Sequence, residues 1–164
     1  MLKSLLDRAL KHVFNDNRYH TLSRIQIEAY TDLLAMAMVI DHHIAQQERD
    51  LITHHLEQFE WPESRPSEHF INQSVRRAWG LLEATEKEAA ILSYCKDIAE
   101  RLDDDWLRQN AFVATVEIVQ ADNELASEES ALLDHICEAF GLSDEDQERL
   151  YARAKPSTQK TTIT

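Results

Sequence analysis

"DHHIAQQERDLITHHLEQF" (41–59) lies over "DNELASEESALLDHICEAF" (122–140) at an offset of 81 residues, with seven of nineteen positions identical. The identities are Asp41/Asp122, Ala45/Ala126, Glu48/Glu129, Leu51/Leu132, His54/His135, Glu57/Glu138 and Phe59/Phe140, and Ile44/Leu125 and Ile52/Leu133 are conservative. Each copy follows an apolar stretch, "YTDLLAMAMVI" (30–40) and "AFVATVEIVQA" (111–121). The simplest reading is a duplicated helix-loop-helix unit whose two copies pack face to face around one core. In each unit an aspartate ends the first helix, an aliphatic residue (Ile44 or Leu125) turns inward, and a glutamate falls in the first turn of the next helix, where the helix dipole favours its charge.

The text around the two copies is helical as well. The chain has 164 residues, two glycines and three prolines, too few breakers for a sheet rich in turns. Apolar periodicity predicts about eight helical segments. The first runs from Lys3 to Phe14. The second opens on a capping box, Ser23 with Gln26, and reaches about Ile40. The third covers Gln46 to Phe59, and the fourth Glu68 to Glu83. The fifth opens on a second capping box, Thr85 with Glu88, and ends near Leu102. "DDDW" (103–106) starts the sixth, the seventh spans Ser127 to Phe140, and the eighth follows the Gly141 stop and the Ser143 cap as far as Ala154. No linker divides the chain. The expectation is one all-α domain over 1–155, with seven to eight helices in two pseudo-two-fold helix-loop-helix repeats, and a frayed polar tail over 156–164.

Composition narrows function. Asp and Glu number 30 against 17 Lys and Arg, a formal net charge of −13. That balance repels nucleic-acid phosphate and anionic lipid and suits cations or basic protein partners. No apolar run approaches the ~20 residues of a spanning helix, and "MLKSLLDRALKHVF" (1–14) has charges where a signal peptide needs an apolar stretch. Cys95 and Cys137 fall at apolar-periodic positions and read as buried thiols of a reducing compartment, so a cytoplasmic location is expected. Trp61, Trp79 and Trp106 read as packing residues.

The chemistry on offer is that of carboxylates. Asp41 and Glu48 flank one tight corner, as do Asp122 and Glu129, with Glu124 and Glu128 nearby. Such oxygen ligands suit Ca²⁺, Mg²⁺ or Mn²⁺. The plainer alternative is that the glutamates cap helix dipoles and the aspartates stabilise turns. Neither corner is an EF-hand, because Ser127 stands where the loop glycine belongs and Leu133 where its last glutamate belongs. His42 and His43 would add nitrogen ligands for Zn²⁺ or Ni²⁺. His54 and His135 read as surface residues, and His55, sharing a face with Leu51, Ile52 and Phe59, as a core or rim residue. Enzyme signatures are missing: the sequence has no H-E-x-x-H or E-x-x-H motif, and no glycine-rich phosphate loop can be built from Gly80 and Gly141.

"DHHIAQQE" (41–48) and "DNELASEE" (122–129) resemble the acidic signature of the TerB-like family, the relatives of tellurite resistance protein B. "SALLDHICEAFGLSDEDQERLYA" (130–152) resembles that family's C-terminal text. The glycine that follows the family's aspartate is His42 in one copy and Asn123 in the other. The resemblance implies an all-helical domain with a role in tellurite and related stress responses. It further implies acidic residues that bind metal cations, or a scaffold for protein assemblies, and no catalysis. Two functions follow as expectations. One is a non-enzymatic protein that takes a divalent cation at Asp41, Glu48, Asp122, Glu124 and Glu129. The other is a helical protein-interaction module with no metal.

Overall fold

The structure, a computed structural model, describes residues 22–40, 68–120 and 127–154. Among these, six α-helices account for the regular structure: α1 (Arg24–Val39), α2 (Glu68–Leu82), α3 (Lys87–Leu102), α4 (Asp105–Val119), α5 (Ser127–Phe140) and α6 (Asp144–Ala154). They coincide with six of the predicted segments. The other two, 3–14 and 46–59, lie outside the described residues, as do the first corner and the 156–164 tail. Of the two expected repeat copies, the described residues include the second helix of only the second, from Ser127 onward.

The two apolar stretches that precede the corners become α1 and α4, and these helices pack against each other. Every residue from Ala29 to Ile40 is buried, and so is every residue from Ala111 to Val116. A helix buried on all sides must hide its polar groups. Thr31 and Thr115 do so by donating their hydroxyls to the carbonyls of Ile27 and Ala111, four residues back, at 2.9 and 2.8 Å. α2 and α3 lie against α1, α5 lies against α3 and α4, and α6 lies against α4. These outer helices show one apolar stripe each. In α3 it is Ile91, Cys95, Ile98, Ala99 and Leu102, spaced at helical period. The core they enclose also takes Trp79, while Trp106 packs against it partly buried. Trp61 lies outside the described residues.

The helix ends follow local chemistry. Ser23 and Gln26 form the expected reciprocal box, at 3.2 and 2.9 Å. The Gln26 amide also donates to the Leu102 carbonyl at 3.0 Å, tying the start of α1 to the end of α3. Asp104 accepts the Leu107 N–H at 2.8 Å and opens α4. Ser143 accepts from the Asp146 N–H at 3.1 Å and opens α6 as expected. α5 ends in a Schellman pair, with Gly141 at φ 64 and its N–H on the Glu138 carbonyl, and the Leu142 N–H on that of Cys137. The expected Thr85 cap is not formed. The N-cap of α3 is Glu86, without a side-chain cap bond, and the Glu88 carboxylate pairs with His135 of α5. That contact also corrects the reading of His135 as a surface residue: its side chain is only 19% exposed and it joins α3 to α5.

Candidate functional site

Of the five carboxylates expected to hold a cation, the described residues include one. Glu129 stands in the first turn of α5 and is 5% exposed. Asp41, Glu48, Asp122 and Glu124 lie outside the described residues, together with His42, His43, His54 and His55. A carboxylate withdrawn from water needs compensation, and the N-terminus of α5 supplies some through its dipole. Glu128, beside it, is half-buried and accepts from the Ser127 hydroxyl at 3.3 Å. Among the described residues no three or more His, Cys, Asp or Glu side chains converge as a metal would require.

The densest polar chemistry in the described residues sits elsewhere, in a cleft of about 260 Å³ where α1, α2 and α3 meet. Its centre is Asp32, a charged residue in the middle of the apolar helix α1 and only 1% exposed. Its Oδ1 accepts the Ser74 hydroxyl at 2.5 Å and Arg77 Nη2 at 2.9 Å, both from α2. Its Oδ2 accepts Arg101 Nη2 of α3 at 2.8 Å. One carboxylate thus fastens three helices. A buried charge is tolerable only when paired and hydrogen-bonded, and Asp32 is both. Arg101 continues outward through Nε to Asp97 at 2.9 Å, and Arg77 lies over the Phe70 ring at 5.3 Å. Burial opposes the charge of each arginine, but Asp32 together with Tyr94, and for Arg101 also Asp97, outweighs it, so both guanidiniums hold their protons more tightly than usual. Tyr94, on the cleft wall, has its phenol pushed above the ordinary range by burial and then by the charge of Asp32.

Sequence reasoning passed over this cleft. A lone aspartate inside "YTDLLAMAMVI" at a helical core position was the available signal, since an unpaired charge there would be prohibitively costly and demands cationic partners. The cationic partners, Arg77 in "SVRR" and Arg101 in "AERL", are 45 and 69 residues away, a separation that no local pattern reveals.

The two cysteines are free and buried, as expected. Burial pushes both thiols up to about 12, with Asp134 adding to the effect at Cys137. Neither has the depressed pKa of a nucleophile. No helix among the described residues is long and apolar enough to cross a membrane.

No curated protein and no solved structure matches the chain. The family model for tellurite resistance protein TerB matches residues 27–152, from the first turn of α1 to the last turn of α6. That span covers most of the chain and all the elements just described, so the chain belongs to the TerB family.

Proposed function

We propose that this TerB-family chain is a non-enzymatic protein of the tellurite-related stress response. It binds a divalent cation through the acidic corners formed by Asp41 and Glu48 in one copy and by Asp122, Glu124 and Glu129 in the other. The observation that carries this reading is the burial of Glu129 in the first turn of α5, at the position that matches Glu48 in the other copy of the acidic spacing. Surface glutamates that only lend charge to a helix start remain in water. A buried one at that place is held at a fixed position and orientation, which a coordination site requires. Oxygen-only ligands favour Ca²⁺, Mg²⁺ or Mn²⁺ over Zn²⁺. Calorimetric titration of chelator-stripped protein with Ca²⁺ and Mn²⁺ tests the reading. Saturable binding that is lost in the Asp122→Asn, Glu129→Gln double variant is the expected result. Absence of heat, or binding indifferent to that variant, would sink it.

A second reading, a metal-free scaffold for a basic protein partner, draws on charge distribution. Residues 103–120 and 127–154 carry twelve Asp and Glu against three Lys and Arg, whereas 22–40 and 68–102 carry eight against six. An acidic balance of this kind attracts cationic partners.

A further inference from the structure

No further inference is drawn: the strongest candidate, the cleft of about 370 Å³ between the start of α1 and the end of α3, carries nothing, because Ser23 and Gln26 on its wall are taken by a helix cap and Arg101 by Asp32 and Asp97, and nothing in the structure shows what covers the exposed Ile25 that lines it.

Discussion

Asp32 is the residue on which the packing of three helices turns. Replacing it by alanine removes the acceptor of Ser74, Arg77 and Arg101 together. Breaking a buried charge pair from one side costs about 3–5 kcal/mol. Both arginines here have access to water, so Asp32→Ala is expected at the lower end, about 3 kcal/mol, read as a fall in the urea midpoint with an unchanged slope. Asp32→Asn, which keeps the shape and one acceptor, should cost less. Asp103 and Gly141 make a second residue-scale comparison. Both end helices in the left-handed region, at φ 51 and φ 64. Gly141 has open space where a Cβ would go, so Gly141→Ala isolates the backbone penalty, about 1–2 kcal/mol. Asp103→Gly should move the other way, raising stability by up to about 1 kcal/mol. Thermal midpoints of the two variants, shifted in opposite directions, check both. The sequence marked Gly141 as a stop, because glycine advertises that conformation. It did not mark Asp103, because an aspartate before "DDW" reads equally well as part of a helix start.

At the scale of elements, the legible features were those set by neighbours in the chain. The apolar runs at 30–40 and 111–121 gave α1 and α4, and the pairs Ser23/Gln26 and Ser143/Asp146 gave two helix starts. Ser143→Ala is expected to lose about 1 kcal/mol and to fray α6 first, visible as faster amide exchange at its first turn. The ionised form of Asp146 is favoured by the Ser143 hydroxyl and by Arg149, which keeps its carboxyl below the ordinary range. Its contribution is therefore present at neutral pH and disappears on acidification through that lowered value. Illegible were the features set by distant partners. Thr85 with Glu88 has the spelling of a capping box, yet Glu88 is taken by His135, which lies 47 residues away. The same distance problem hid the ladder Arg77–Asp32–Arg101–Asp97. It also hid the polar contacts of α6 on α4, where Arg149 reaches Gln109 at 3.1 Å and Arg153 reaches Asn110 at 3.0 Å.

For the whole molecule, two buried thiols and a strongly acidic surface set the response to pH. A thiol loses its proton near 8.5 in an unfolded chain, whereas Cys95 and Cys137 hold theirs to about 12 when folded. Below the first value both states are protonated and this effect is flat. Between the two values the unfolded chain sheds protons that the folded chain keeps, so stability falls as pH rises. The urea midpoint should decline above about pH 9, and iodoacetamide at pH 8 should leave both thiols intact until the chain is unfolded. A decline that persists in the Cys95→Ala, Cys137→Ala variant would assign it to other groups. The acidic balance also frames the family's function, since a chain of net charge −13 gathers cations wherever its carboxylates are held together. The function proposed above assigns that property to the repeated acidic spacing, with Glu129, buried in the first turn of α5, as one of its ligands. The most direct test of that claim is Mn²⁺ added in substoichiometric amounts to ¹⁵N-labelled, chelator-stripped protein. Selective broadening of the amide signals of Glu128, Glu129 and Ser130, with the equally acidic first turn of α6 at Asp144 to Asp146 left sharp, is the predicted result. Broadening that spreads evenly over both helix starts, or that spares α5, would contradict it.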